Sequence, residues 1–150
     1  MAQSGFAIGA LSEHCGCNIE TIRYYERIAL IPRAERRGRY RTYSDTDVAR
    51  LRFIKRARGL GFAIEEIRAL LELSQSDSAA DKQSCMDARQ IASANLTAVR
   101  ARLDDLRRME ATLAETIRAC DLDAFDGCPI LHTLSGGEIP MPEDSLRNDP

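Results

Sequence analysis

The 150-residue chain has no tryptophan, only two histidines and 5% aromatic residues. With 29% charged residues, the lack of large aromatics points to a thin, helical core. The histidines, His14 and His132, lie far apart in sequence. There is no Ser/His/Asp arrangement and no Gly-rich phosphate loop, so an enzyme is set aside. No apolar run approaches the length of a membrane-spanning helix, and no membrane partner is expected. The start, MAQSGFAIGALSEHC, lacks a basic stretch followed by an apolar one, so no signal peptide is evident. A cytoplasmic protein with reduced thiols is the expectation. Five cysteines is an odd number and does not suggest a disulfide framework.

What the chain does have is segregated charge. The net charge of −2 hides a basic segment: residues 23–58 carry twelve Lys/Arg against four Asp/Glu, a local net of +8. Residues 74–150 carry eight against fourteen, a net of −6. A basic segment in an acidic chain suggests a polyanion-binding part joined to a part with another task. The plain alternative is a solvated charged surface.

Residues 6–15 have apolar positions at helical spacing, and Gly16 breaks the pattern. Asn18 is a good N-cap for a second helix, Ile19 to Ile28. Two short helices joined by a tight glycine turn form a helix-turn-helix pattern. Residues 33–43, RAERRGRYRTY, place Gly38 between basic and aromatic residues, as in a hairpin or wing. Ser44 with Asp47 three residues on resembles a capping box, opening a helix to about Arg58. Ala63 to Leu73 reads as a further short helix. The polar stretch 74–84 reads as a linker, and 85–120 as one long helix. Residues 121–135 form a loop and short helical turn, and the Gly/Pro-containing stretch from 136 to 150 is expected to be a disordered tail. The first 73 residues are then one domain, and the fold is mainly α.

The long helix carries Leu96, Val99, Leu103, Leu106, Leu113 and Ile117 in an alternating three-four pattern, the seam of a coiled coil. Cys85 and Cys120 lie five heptads apart on the same register, roughly 50 Å on a straight helix. They cannot share a ligand within one chain. If two such helices pair antiparallel, Cys85 of one arrives beside Cys120 of the other. Cys128 follows Cys120 after a seven-residue loop and can fold back. Three thiols then converge at each end of a two-fold homodimer, and three thiolates make a soft-metal site. His132, four residues after Cys128, shares its face on a helical turn and is a candidate nitrogen ligand, set against a surface histidine. Cys15 and Cys17 read as small buried hydrophobes around the turn, and His14 as exposed. A second reading is a thiol redox sensor, with Cys120 and Cys128 forming a reversible disulfide and Cys85 idle.

On the second helix, Thr21, Arg23, Tyr24 and Arg27 are candidate groove or backbone contacts to DNA. Arg36, Arg37, Arg39 and Arg41 place cations on the wing. Tyr40 and Tyr43 lie between or beside them, either supporting the wing or reaching phosphate, with packing of the small domain as the competing role.

The run IGALSEHCGCNIETIRYYERIALIP, followed by GRYRTYSDTDVARLRFIKRARGLGF, resembles the MerR family of transcriptional regulators. The match covers residues 6 to about 73 and continues more weakly to about 135. Arg23 to Glu26 (RYYE) and Tyr40 to Tyr43 (YRTY) are its specific parts. The resemblance implies an N-terminal winged helix-turn-helix, an antiparallel coiled-coil dimer, a short C-terminal metal-binding loop, and a promoter with an overlong spacer that is twisted when the effector binds. It also implies promoter DNA and RNA polymerase as partners. Arg39 departs from the pattern, since members often carry glycine or asparagine there.

Cys85, Cys120 and Cys128 fall where metal-sensing members carry their ligands. The resemblance is closest to the mercury-responsive branch, including RRME within the long helix and CPI from Cys128. Copper sensors of the family usually have serine at the position of Cys85. The charge argument agrees: two thiolates neutralise a monovalent ion and leave −1, and a third does the same for a divalent one. The expected effector is a soft divalent ion, Hg(II) first, then Cd(II), Pb(II) or Zn(II); Zn(II) usually seeks a fourth ligand. The loop before Cys128 is a residue shorter than in the best-known mercury sensors and matches the copper sensors in length.

Overall fold

The computed structural model describes residues 5–76, 81–122 and 126–137. The chain divides into two units, Met1–Thr97 and Ala98–Pro150. Its elements are α1 (Ile8–Cys15), α2 (Ile19–Arg27), β1 (Glu35–Arg37), β2 (Tyr40–Thr42), α3 (Asp45–Gly59), α4 (Ile64–Gln75), α5 (Lys82–Asp121) and α6 (Pro129–Leu134). The fold is mainly α, as the sequence indicated.

In the first unit, α1 starts two residues later than the apolar spacing suggested. Phe6 is not helical. It forms an antiparallel bridge with Tyr43, its amide donating to the Tyr43 carbonyl at 2.8 Å and its carbonyl accepting from the Tyr43 amide at 2.9 Å. Gly16 ends α1 in the left-handed region at φ 59°, where a side chain would be strained. Asn18 then caps α2 through its side-chain oxygen, which accepts from the Glu20 amide at 3.0 Å. The wing is a two-stranded antiparallel hairpin with Arg36 opposite Arg41 and Arg37 opposite Tyr40, turning at Gly38 with φ 64°. Ser44 and Asp47 form the capping box of α3, each bonded to the other's backbone.

One apolar core holds these pieces. Leu11 from α1, Ile22 from α2, Leu30 and Ile31 after it, Tyr43 after the wing, Leu51 and Ile54 from α3, and Ile67 from α4 are fully buried. Cations close the free carbonyls around the helix-turn-helix. Lys55 Nζ donates to the carbonyls of Cys15 and Gly16 at 3.1 and 2.9 Å. Arg50 Nε donates to Leu30 O at 2.7 Å, and the Arg68 guanidinium to Ile28 O and Ala29 O at 2.9 and 3.2 Å. Part of the basic segment is therefore structural, completing helix C-termini where the dipole also favours positive charge.

The stretch 74–84 is less of a linker than its polar composition suggested. α4 runs to Gln75, with Ser74 and Ser76 hydroxyls turned back onto Leu71 O and Leu73 O. α5 begins at Lys82, where Asp81 accepts from the Ser84 amide at 2.7 Å, the geometry of an N-cap. At the described ends of the stretch, polarity marks the helix termini. Residues 77–80 lie outside the described residues, as do 123–125 of the C-terminal loop and 138–150 of the expected tail. Within the first unit, α5 is tied down by Asn95, which donates to Leu60 O at 3.0 Å.

In the second unit, α5 continues to Asp121, and α6 opens with Pro129 in its first turn behind Cys128. The seam positions Leu103, Leu106, Leu113 and Ile117 are between 44% and 60% exposed. A stripe of large apolar side chains in water on a regular helix signals a face awaiting a partner.

Candidate nucleic-acid interface and thiol sites

Because the residues flanking the wing, Ala34 and Tyr43, pack on the core that α2 also joins, the outer face of α2 and one face of the wing border a cleft of about 870 Å³. It is lined by Glu20, Arg23, Glu26 and Arg27 from α2, and Arg33, Ala34, Arg36 and Arg41 from the wing. Of the nine residues the sequence proposed for DNA contact, the fold brings four, Arg23, Arg27, Arg36 and Arg41, to this one surface. Thr21 and Tyr24 lie on an adjoining groove of about 400 Å³ with Tyr25, Arg58 and Ile64. Arg37 lies on the other side of the hairpin, in a groove with Glu35, Asp45 and Asp47. Strand alternation explains the split: neighbours Arg36 and Arg37 face opposite ways. Arg39 and Tyr40 are exposed at the tip, Tyr40 at 78%.

The cleft is cationic with little internal neutralisation. Arg23 makes a long, exposed ion pair with Glu20 at 3.8 Å, worth little in water. The Arg27 guanidinium lies 5.8 Å from the Tyr24 ring centroid, a cation–π contact that orients it without cancelling its charge. Tyr43, whose role the sequence left open, is a core residue. Its hydroxyl donates to Glu26 Oε1 at 2.9 Å, and burial, then this carboxylate, raises its pKa well above the ordinary tyrosine range. The sequence reading missed Glu26, Arg33 and Arg58. The signal for Glu26 was an acid inside a run of net positive charge; nothing in the local pattern distinguished Arg33 and Arg58 from other surface cations.

The three proposed metal ligands are all exposed free thiols: Cys85 in the first turn of α5, Cys120 in its last, and Cys128 as the N-cap of α6. Among the described residues of one chain, no three His, Cys, Asp or Glu side chains are grouped to hold a metal ion. The helix α5 carries Cys85 in its first turn and Cys120 in its last. His132 is exposed one turn beyond Cys128, its amide donating to Cys128 O at 3.0 Å.

The other two thiols have a different environment. Cys15 is buried with its thiol directed to Val48 O at 3.8 Å, and half-buried Cys17 directs its own to Cys15 O at 3.7 Å. Burial pushes both thiols up, with Cys17 adding to the rise at Cys15. They behave as small core residues. His14 is exposed and stacks edge-on against Phe6, ring centroids 5.0 Å apart.

Residues 6–74 match the MerR HTH family regulatory protein family, and residues 48–116 match the family described as MerR, DNA binding. The chain belongs to the MerR family. It is 45% identical over 131 residues to the HTH-type transcriptional regulator HmrR of Rhizobium leguminosarum bv. viciae, covering 87% of this chain and 98% of that one. It is 41% identical over 132 residues to a mercuric resistance operon regulatory protein of Bacillus cereus, covering 86% and 96%. Among solved structures it resembles the transcription regulator PbrR691 of Ralstonia metallidurans CH34 in complex with lead(II), with TM-score 0.66, 32% identity and coverage of 86% and 98%. MerR-family proteins are transcriptional regulators, not enzymes. As one of them, this chain carries a DNA-binding domain. Among the described residues, no helix is long and apolar enough to cross a membrane.

Proposed function

We propose that this MerR-family regulator binds promoter DNA as a homodimer and senses a soft divalent metal ion, Hg(II) foremost, through Cys85 of one protomer with Cys120 and Cys128 of the partner subunit. The observation that carries the reading is the placement of exposed thiols at the two ends of one unbroken helix whose apolar seam is open. Antiparallel pairing of two such helices covers the seam and joins the thiols in the same act.

The donor set fits the ion. Three thiolates neutralise a divalent cation to −1 and favour a soft one, and all three side chains are exposed and free. When bound, the metal supplies links between protomers that replace thiolate repulsion with attraction. The chain's own residues do the rest: the arginines of α2 and the wing hold the phosphates, and the helix-turn-helix docks in the major groove. Switching is by distortion of the promoter DNA, with RNA polymerase at the same promoter and the protein in the cytoplasm.

Mercury is favoured by the third thiol and by similarity to a mercuric resistance regulator; similarity to a regulator solved with lead(II) makes Pb(II) the nearest alternative. Reporter induction across Hg(II), Cd(II), Pb(II), Zn(II) and Cu(I) tests the choice. Hg(II) should induce at the lowest concentration, and Cys→Ser at any of the three positions should abolish that response while leaving DNA binding intact. A lower threshold for Pb(II), Cd(II) or Zn(II) reassigns the metal. Best induction by Cu(I), surviving Cys85→Ser, makes the protein a copper sensor. Induction by oxidant alone makes it a redox sensor.

A further inference from the structure

A buried acid in a phosphate-binding cleft needs a reason. Glu26 is only 9% exposed, yet lines the cleft with Arg23, Arg27, Arg33, Arg36 and Arg41. Its negative charge works against DNA there, and none of the cleft arginines is ion-paired to it among the described residues. What its carboxylate does have is two donors on one oxygen. Oε1 accepts from the Tyr43 hydroxyl at 2.9 Å and from the Ala34 amide at 3.1 Å.

Ala34 is the residue immediately before β1, and Tyr43 the residue immediately after β2. Both legs of the wing are therefore fastened at their base to a single atom of α2. Among the described residues, Tyr43 is also bridged to Phe6, a tie that runs to the N-terminal side and not to α2. Resting on the DNA-binding reading, we propose that Glu26 is a positioning residue that fixes the wing against α2, so that Arg36 and Arg41 meet the backbone while α2 lies in the groove.

The bonds suit that task. Each is a charge-assisted hydrogen bond, stronger than a neutral pair; the one from Tyr43 is buried and the one from Ala34 partly so. The hairpin they anchor has strands of only three residues each, with all side chains but that of Thr42 exposed, too short to hold its own orientation. Specific binding needs α2 and the wing engaged in one register. Non-specific binding needs only that each arginine find a phosphate.

The test uses the full-length protein and two duplexes, one selected from a random pool by the wild-type protein and one of mixed sequence. Glu26→Ala and Tyr43→Phe should each weaken binding to the selected duplex by about tenfold and to the mixed one by less than about twofold. The salt slope of the selected complex should become shallower by about one to two, since Arg36 and Arg41 each remove ~0.9 when their phosphate contact is lost. Glu26→Gln keeps an acceptor oxygen and should restore most of the lost affinity. Tyr43→Phe removes only a hydroxyl and carries the test alone if Glu26→Ala does not fold. Three results overturn the inference. The variants bind both duplexes as wild type does; or they lose stability and bind both duplexes equally less well with the slope unchanged; or Glu26→Ala and Glu26→Gln both bind more tightly, leaving a role for charge alone. If the wild-type protein selects no duplex, the DNA-binding reading itself fails.

Discussion

Arg36 and Arg41 stand directly opposite each other across the wing, both facing the cleft. Like charges so placed are destabilising in a hairpin, and no carboxylate among the described residues forms an ion pair with either. A polyanion resolves that conflict. Replacing both with alanine should leave thermal stability equal or slightly raised, and lower the salt slope of duplex binding by roughly two, about 0.9 per phosphate. Salt titration of binding to a mixed-sequence duplex measures it; an unchanged slope places the wing away from the backbone.

Ala29 occupies the left-handed region at φ 55°, the one non-glycine residue to do so among the described residues. It turns the chain out of α2 toward buried Leu30 and Ile31. A left-handed alanine costs about 1–2 kcal/mol, and glycine returns ~0.4–1 of any gain as unfolded-chain entropy. Ala29→Gly should therefore stabilise the protein by about 0.5–1 kcal/mol. Denaturant unfolding reads this directly, and a loss of stability would show that the turn is held in another way.

The pKa of Tyr43 is raised by burial and by its bond to Glu26. The unfolded tyrosine ionises near ~10, whereas the folded one stays protonated. Above that pH the unfolded state binds fewer protons than the folded state, so stability falls as pH rises. Tyr25, Cys15 and Cys17 are shifted in the same direction. Stability should be constant in Tyr43 protonation below pH ~10 and fall above it, with a visibly shallower fall in Tyr43→Phe. Urea midpoints measured from pH 8 to about 11 distinguish the two; parallel curves for wild type and variant mean that Tyr43 does not contribute.

Much of this was legible in the sequence because local chemistry and fold agree. Asn18, Gly16, Gly38 and the Ser44–Asp47 box each do what their residue type allows in a short segment. The less legible features depend on pairings between distant residues. Phe6 fits an amphipathic helix, but its backbone is taken by Tyr43, 37 positions away. Arg50, Lys55 and Arg68 look like surface cations until the helix ends they close are in view. Glu26 reads as helix surface, and only the wing folding over α2 makes it a buried acceptor.

The open seam on α5 carries a further expectation. Leu103 and Leu106, 44% and 58% exposed, would be covered in a dimer. Changing both to glutamate should give monomers with a folded helix-turn-helix that no longer bind a palindromic site. Sedimentation equilibrium decides this, and a wild-type chain that sediments as a monomer at micromolar concentration removes the dimer from the account.

The most direct measurement mixes chains. A Cys85→Ser protomer keeps Cys120 and Cys128, and a Cys120→Ser/Cys128→Ser protomer keeps Cys85, so neither homodimer has a complete site. Their heterodimer should regain one three-thiolate site and bind one Hg(II) tightly, seen as a single equivalent of thiolate-to-mercury absorbance that resists competition by small thiols. A confirmed heterodimer that binds no metal tightly, or either homodimer binding as the wild type does, would contradict a site shared between protomers.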